Sequence, residues 1–369
     1  MKTNLIIDGN WLLMSRFFSN HDEFLKELPE DMLEDAKDNL KDFLAQSIVG
    51  QINKMENLVD NIVLVCDGGS WRNKIEKPEF LKDEEYKGTR VREETIAWDY
   101  VFKALEELKM NFDELGITAT KEYGIEGDDW IWYWTKKLNT FGENCIIWST
   151  DGDLKQLICK NQNGTWTVHF NEQYGLTLPE EFNNEDIDNF LMNMGNSDPI
   201  LEVLSSLSQK PTKYINPDDI VMEKIMCGDS GDNVKAILRV ESKGRTYKYT
   251  PKMWGELKES LEIHSLEDFF AKTDDIVNSL VNNPPKKFAT VERDFSKLNE
   301  HLRYNERLVF LNYLEYPQEV LDKMYKYNAK YPGLDYIRDN FKALSGNKDD
   351  SIEDIFEGVE VNNDSEMPF

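Results

Sequence analysis

The chain has 369 residues and carries 43 Lys and Arg against 70 Asp and Glu, a formal net charge of −27. That length admits one large core or two domains. So acidic a balance is not the usual one for a nucleic-acid binder, which makes the placement of the basic residues more informative than their total. Cys66, Cys145, Cys159 and Cys227 show no C-x-x-C spacing, and Cys66 and Cys145 lie in apolar runs, so buried reduced thiols are expected. The apolar run Leu5 to Ile7 is broken by Asp8, so no signal peptide is expected. No apolar run is long enough to span a bilayer, and the expectation is a soluble cytoplasmic protein.

In chain order, Asn4 to Asn10 reads as a strand ending at Asp8 and Gly9, followed by a helix over Trp11 to Phe18. Glu23 to Leu58 places Leu33, Leu40, Phe43, Leu44 and Ile48 at helical spacing and is entered at Pro29. Asn61 to Asp67 is a second strand ending in a carboxylate, with Gly68 and Gly69 behind it. Ser70 to Arg92 mixes Arg72, Lys74, Lys77, Lys82, Lys87, Arg90 and Arg92 with Trp71, Phe80 and Tyr86. An amphipathic helix covers Glu93 to Met110, and a short strand covers Gly116 to Glu122.

Glu126-Gly-Asp-Asp129 then opens a helix over Trp130 to Leu138. Trp130, Trp132 and Trp134 fall at i, i+2 and i+4, so they do not share one face and are expected in the core. Ile146 to Trp148 is a buried strand, after which Asp151 and Asp153, split by Gly152, occupy a tight turn into a helix starting at Leu154. Asn161 to Gly164 is read as a turn and Trp166 to Phe170 as an alternating edge strand. Strands that alternate with helices imply an α/β fold, a mostly parallel central sheet with helices on both faces.

Beyond Glu180 the strand signal fades, and Asn183 to Lys210 has little pattern. Asp218 to Met226 is a helix, followed by Gly228-Asp-Ser-Gly-Asp-Asn233 and a basic segment containing Lys235, Arg239, Lys243, Arg245, Lys248 and Lys252. The remainder reads as helical to Leu344, and the acidic stretch from Ser345 as a disordered tail. The domains expected are 1–180, 181–345 and the tail 346–369.

The carboxylates at strand ends or helix starts are Asp8, Asp67, Glu126, Asp128, Asp129, Asp151, Asp153, Asp229 and Asp232. Any one of them is accounted for as a helix cap or turn residue. All of them together repel and raise one another's pKa unless cations neutralise them. Oxygen donors without His or Cys suit Mg²⁺ or Mn²⁺ rather than Zn²⁺. Two such ions ~4 Å apart stabilise the attacking and leaving oxygens of a phosphoryl displacement.

The order Leu5-Ile-Ile-Asp-Gly-Asn, Val65-Cys-Asp-Gly, Tyr86-Lys-Gly-Thr-Arg90, Glu126-Gly-Asp-Asp, Ser149-Thr-Asp-Gly-Asp-Leu and Gly228-Asp-Ser-Gly-Asp-Asn resembles the 5′-nuclease family. That family includes flap endonucleases, the 5′-nuclease domains of bacterial DNA polymerases and, nearest in Arg92 to Asp99 and around Asp151, the ribonuclease H enzymes of T-even bacteriophages. The likeness covers roughly Met1 to Arg245 and continues more weakly to about Phe341. It implies an Mg²⁺-dependent 5′→3′ exonuclease and flap endonuclease acting on RNA–DNA and DNA duplexes. Such an enzyme removes RNA primers and adjacent DNA in lagging-strand replication by two-metal hydrolysis.

Carried over, Asp8, Asp67, Glu126, Asp128 and Asp129 form a first metal group, and Asp151, Asp153, Asp229 and Asp232 a second. Asp67 and Asp151 also count as catalytic. Tyr86, Lys87 and Arg90 match the family's arch over the active site, and Arg72 is expected to bind substrate with them. On a helix Lys87 and Arg90 would share a face and contact the scissile phosphate, with Tyr86 stacking on a terminal base. The alternative for this stretch is a solvated basic helix with Tyr86 packed beneath.

Gly228 to Asn233 resembles the start of a helix–three-turn–helix duplex-binding element near 218–245. Val234 to Glu241 lacks the glycines that cradle a monovalent ion in many members, which shifts duplex binding onto Lys235, Arg239, Lys243 and Arg245. Gly127 stands where alanine is common. A non-catalytic nucleic-acid-binding scaffold and a phosphatase using a D-x-D turn are the rival readings. The carboxylate set speaks against the first, and a phosphatase needs neither the arch nor the basic segment.

In the tail, Ile352, Ile355 and Phe356 sit among acids like a sliding-clamp peptide, and Met367-Pro-Phe369 is similar to the tip of bacterial single-stranded-DNA-binding proteins. A solvated end with no partner is the alternative. The protein is expected to be a monomer without membrane contact, its compartment the infected host cytoplasm if the phage likeness holds.

Overall fold

The computed structural model describes residues 1–20, 28–90, 98–182, 199–290, 293–312, 315–333 and 336–337. The chain divides into two compact units, the first made of Met1–Gly69, Arg92–Tyr214 and Gln318–Phe369, the second of Ser70–Val91 and Ile215–Pro317. The boundaries therefore differ from a simple N-terminal and C-terminal split. The arch segment belongs with the helical unit, and the chain returns to the first unit after Pro317.

The first unit begins with β1 (Thr3–Asp8), α1 (Gly9–Asn20), α2 (Leu33–Lys54) and β2 (Asn61–Val65). Next come α3 (Trp98–Glu114), β3 (Thr118–Thr120), α4 (Gly127–Thr140), β4 (Asn144–Trp148), β5 (Cys159–Lys160) and β6 (Trp166–Asn171). β7 (Gly175–Pro179), α5 (Pro199–Leu207) and β8 (Lys213–Ile215) follow. The strand order is β3-β2-β1-β4-β6-β7-β8, with β5 pairing β6 off that path. β1 pairs β2 and β4 in parallel, β2 pairs β3 and β4 pairs β6 in parallel, and β6 pairs β7 antiparallel.

Every residue of β1, β2 and β4 is buried, as expected for strands covered on both faces. Leu5, Ile7, Ile62, Leu64, Ile146 and Trp148 pack with α1, α2 and α3. By the alternation of the pleat, Ile6, Val63 and Ile147 point the other way, where α4 lies against β1, β2 and β4. Trp130, Trp132 and Trp134 are all buried in the core.

β6 is not the edge strand its alternation suggests. All six residues are buried because β7, unrecognised in sequence, covers its outer side. The segment after Asp153 is a single 3₁₀ turn over Asp153–Leu157 that leads into β5, not a long helix.

A final helix in the first unit, Gln318–Met324, brings Tyr327 beneath α4. Its ring meets Trp130 edge-on at 4.8 Å, and its hydroxyl donates to Lys121 O at 3.2 Å. The loop after β2 is pinned to the segment before α4. Gly68 N donates to Ile125 O and Gly124 N to Gly68 O, both at 2.8 Å. A Cβ on Gly68 would lie 1.8 Å from Glu122 O. Gly68→Ala is therefore expected to cost more than ~3 kcal/mol, since backbone must move rather than a side chain. An unchanged urea midpoint would mean that this close approach is not kept in solution.

The second unit contains a helix over Pro217–Cys227, a hairpin of β9 (Arg239–Ser242) and β10 (Arg245–Lys248), and helices over Pro251–Ser260, Leu266–Ala271, Thr273–Asn282 and Phe295–Val309. Asn216 caps the first of these helices at Asp218 N and Pro217 opens it. Met222, Ile225, Trp254, Phe269, Ile276, Phe288 and Leu302 form its core. Arg239, Lys243, Arg245 and Lys248 of the basic segment lie on this hairpin and its turn. Lys243 and Gly244 both have positive φ, +52° and +70°, which matches a tight two-residue turn between antiparallel strands.

Candidate nuclease site

In the first unit the parallel register sets the site. Asp8 ends β1 and pairs with Val65, while Ile7 pairs with Trp148, so Asp67 and Asp151 both follow the same ends of adjacent strands. Ligands of open α/β sheets bind at that edge. The Asp8 carboxylate accepts from Trp11 N at 3.0 Å and from the Ser149 hydroxyl at 2.9 Å. Burial, with Asp67 and Asp151 adding repulsion against these hydrogen bonds, pushes Asp8 up to about 7.

Asp67 N donates to Asn10 Oδ1 at 3.0 Å, and the Asp67 carboxylate accepts from Gly127 N at 2.5 Å, at the start of α4. A Cβ on Gly127 would stand 3.0 Å from that same Asp67 oxygen, so glycine here lets the carboxylate sit close against the helix end. The Asp151 carboxylate accepts from Asp153 N at 2.8 Å, and Asp151 N donates to Ser149 Oγ at 3.0 Å.

Ser149, Asn10 and the Gly127 amide are the positioning groups that sequence reading passed over. The only signal for Ser149 was its place between the strand and the aspartates. Glu126 and Asp129 are buried, and the Asp129 carboxylate accepts from Glu126 N at 3.1 Å. Glu126 is the N-cap of α4 and Asp129 the N3 partner of its capping box, the structural role that any single carboxylate of the set allowed. Asp128 stands half-buried beside it in the first turn.

Among the described residues no three His, Cys, Asp or Glu side chains enclose an ion position outright. An ion held here would share its sphere with water, the common state of protein-bound Mg²⁺. The all-oxygen donors and the repulsion of buried Asp8 by Asp67 and Asp151 fit a hard divalent cation.

Beneath this edge His169 on β6 is buried, which pushes it down to about 3. The unfolded chain, at the ordinary value near 6.5, then binds the extra proton first. Stability is complete above about pH 6.5 and is lost as pH falls toward the folded value, by on the order of 1 kcal/mol per unit. A urea-midpoint series should fall over that window, with a smaller slope in His169→Phe. Equal slopes would show that His169 is not buried as a neutral ring.

In the second unit Asp232 gathers the arch residues. Its carboxylate accepts from Tyr86 Oη at 3.1 Å and Arg90 Nη2 at 2.6 Å, with Lys87 Nζ at 3.9 Å. Lys87 N donates to Asp232 O at 2.8 Å. The stretch is a chain of turns, not a helix, and Lys87 has φ +57°. Lys87 and Arg90 still converge, because they share an anion rather than a helix face.

Tyr86 is buried with its hydroxyl on Asp232, so its ring is not presented for base stacking. Arg72 is 2 % exposed, its guanidinium over the Trp71 ring at 4.7 Å, so it packs in the interior where a phosphate does not reach it. Asp229 is ion-paired with Lys224 and accepts from Gly231 N at 2.8 Å. Burial raises its pKa, but the Lys224 ammonium and the loop amides outweigh it and leave Asp229 below its ordinary value.

Lys235 pairs with Glu84 at 2.8 Å, and Arg239 with Glu84 and Glu241, each at 3.2 Å. Lys243 and Arg245 are exposed on the hairpin. Residues 91–97, 183–198 and the tail lie outside the described residues, so the expectations placed on them stand as sequence readings. Among the described residues no helix is long and apolar enough to cross a membrane.

No family model matches the chain. A 5′-3′ exonuclease of Mycoplasmopsis pulmonis (strain UAB CTIP) is 28% identical over 337 residues, 89% of this chain and 91% of that protein. Among solved structures, the T5 5′-exonuclease with divalent zinc ions bound is 16% identical over 93% of this chain and 98% of its own, with a TM-score of 0.49. The catalytic core of Rad2 in complex with a DNA substrate is 14% identical over 93% and 86%, with a TM-score of 0.38. The sequence likeness runs the length of both the chain and the mycoplasmal exonuclease, and Asp8, Asp67 and Asp151 stand at one edge of a parallel sheet: the chain resembles the 5′-nuclease family.

Proposed function

We propose that this chain is a divalent-metal-dependent 5′→3′ nuclease that cuts DNA and RNA–DNA duplexes from 5′ ends or at flap junctions. In that role it would remove RNA primers and adjacent DNA during replication. The observation that carries this reading is the group Asp8, Asp67 and Asp151 at the ends of β1, β2 and β4, with Asp8 lifted to about 7 by burial and by its two acidic neighbours. Bound Mg²⁺, or Mn²⁺ in its place, would activate water and stabilise the leaving oxygen.

Asp8, Asp67 and Asp151 would hold the ion, with Glu126, Asp128 and Asp153 acting through water. Asp129 would fix the start of α4. In the second unit Asp229 and Asp232 are the further candidate ligands. Lys87 and Arg90 would offset phosphate charge, Lys87 as a point charge and Arg90 through its fork. Lys235, Arg239, Lys243 and Arg245 would bind the duplex backbone in a salt-dependent way. The oxygen donor set and the family resemblance are what support the proposed metal dependence and two-ion count.

Incubation with 5′-labelled nicked and flapped duplexes, with Mg²⁺ and then with EDTA, tests the reading. Product that depends on Mg²⁺ supports it, and no such product removes it. The non-catalytic scaffold would bind the same substrates and release nothing.

The tail is the second part of the proposal, resting on Ile352, Ile355 and Phe356 among acids. It would tether the enzyme to a sliding clamp, and Met367 to Phe369 to a single-stranded-DNA-binding protein, raising local concentration at the 5′ end. Deleting Ser351 to Phe369 should leave cleavage of naked DNA unchanged or slightly faster and abolish stimulation by the cognate clamp. Full stimulation of the truncated protein would exclude the tether.

A further inference from the structure

The second unit contains a cavity of about 200 Å³ lined by Phe80, Ile237, Leu238, Arg239, Asp294, Lys297, Leu298 and His301. Sites for drug-sized ligands run ~300–1,000 Å³, so this one suits a single flat ring system. Ile237, Leu238 and Leu298 are buried and make its apolar wall. The Phe80 ring is 42% exposed and meets the His301 ring edge-on at 5.7 Å.

His301 is only 6% exposed, and its Nε2 has no hydrogen-bond partner. The backbone of Lys235 faces the His301 ring. Lys235 O accepts from Asn305 Nδ2 at 2.8 Å, which holds this carbonyl in place. Burial pushes His301 down to about 4, so the ring is neutral at physiological pH. A neutral imidazole carries one proton, and in the tautomer that holds it on Nδ1 the unpartnered Nε2 is an acceptor. A buried acceptor left unsatisfied is costly, and the group that completes it must bring an N–H or O–H.

The rim adds charge. Arg239 sits between Glu84 and Glu241, and Asp294 accepts from Lys297 N as the cap of the helix Phe295–Val309. Arg239 and Lys297 are the cations there, tempered by these carboxylates. An apolar slot, an exposed aromatic ring, a buried acceptor and rim cations match a nucleobase with its phosphate.

We propose that this cavity binds one unstacked nucleobase, which lies against Phe80 and donates an N–H to His301 Nε2 while its phosphate faces Arg239 and Lys297. The proposal rests on the reading of the chain as a nucleic-acid enzyme. The base comes either from a single strand or from a free mononucleotide.

The test uses the full chain with ¹⁵N-labelled histidine, without divalent metal, titrated with three probes. These are adenosine 5′-monophosphate, purine riboside 5′-monophosphate, which lacks the amine, and a short oligodeoxyadenylate. Adenosine monophosphate should shift the His301 Nε2 resonance, and the purine analogue should bind ~2- to 10-fold more weakly, the worth of one neutral hydrogen bond. That difference should vanish in His301→Phe.

A shift with the oligomer assigns the base to a strand, and a shift with the mononucleotide alone assigns it to a free nucleotide. An unmoved Nε2 resonance with both adenine probes, or equal binding of the two mononucleotides to the wild type, overturns the proposal. If His301→Phe fails to fold, the wild-type titration decides alone. No cleavage enters the measurement, so its failure leaves the nuclease reading standing. Loss of Mg²⁺-dependent cleavage on flapped duplex tests that reading separately.

Discussion

Asp67→Asn and Asp151→Asn are each expected to reduce cleavage of a flapped duplex by at least ~10³-fold, since each would remove a charge from a site that works electrostatically. The fold should survive. The side-chain carbonyl of an asparagine at position 67 can still accept from Gly127 N, and Asp151 is exposed at a turn. Metal-free melting temperature should hold level or rise, because both groups raise the burden on buried Asp8. Either substitution should therefore also bring the Asp8 titration down from about 7. A large drop in metal-free melting temperature with cleavage retained would show these residues to be structural. Asp129→Ala provides the contrast. As the loss of a buried capping-box partner it should cost on the order of 1 kcal/mol of stability in any buffer.

Lys87→Ala should lower the single-turnover rate by ~10²–10³-fold while changing duplex affinity much less. Lys87 reaches Asp232 at only 3.9 Å, whereas Arg90 is bound at 2.6 Å and Tyr86 at 3.1 Å, so its removal leaves the fold of this stretch in place. The backbone bond from Lys87 N to Asp232 O is kept in alanine. The φ of +57° strains alanine as it strains lysine, so the comparison isolates the ammonium. Circular dichroism should be unchanged. Affinity lost in full with an unaltered rate at saturation would make Lys87 an ordinary backbone contact.

Much of the site was legible because parallel strands have a strict grammar. A buried apolar run followed closely by Asp and Gly fixes a carboxylate near a strand end: Asp8 ends β1, and Asp67 and Asp151 follow the adjacent strands β2 and β4. The three tryptophans were placed in the core by spacing alone, as the structure has them.

What failed in the reading failed for local reasons with distant causes. β6 alternates in sequence like a half-exposed strand, but Thr167 and His169 are buried because α4 and the 3₁₀ turn Asp153–Leu157 pack on β6 while β7 pairs its edge. Arg72 and Tyr86 have the composition of a nucleic-acid contact, and their burial depends on Trp71 and on Asp232, the latter far along the chain. The hairpin of β9 and β10 went unread because its basic strands carry little hydrophobic pattern, and a turn at Lys243 and Gly244 is what lets them pair.

The buried parallel strands β1, β2 and β4, the carboxylates behind them and the order of the motifs are legible in the sequence, because hydrophobic period and turn chemistry act within a few residues. Only the tertiary structure decided which carboxylates are capped, paired or left repelling one another. Asp129 is engaged by a backbone amide, Asp229 by Lys224 and Asp232 by the arch, while Asp8 is left buried near two like charges. Desolvation and Coulomb interactions depend on distances between segments far apart in the chain, and residue type carries no record of those distances.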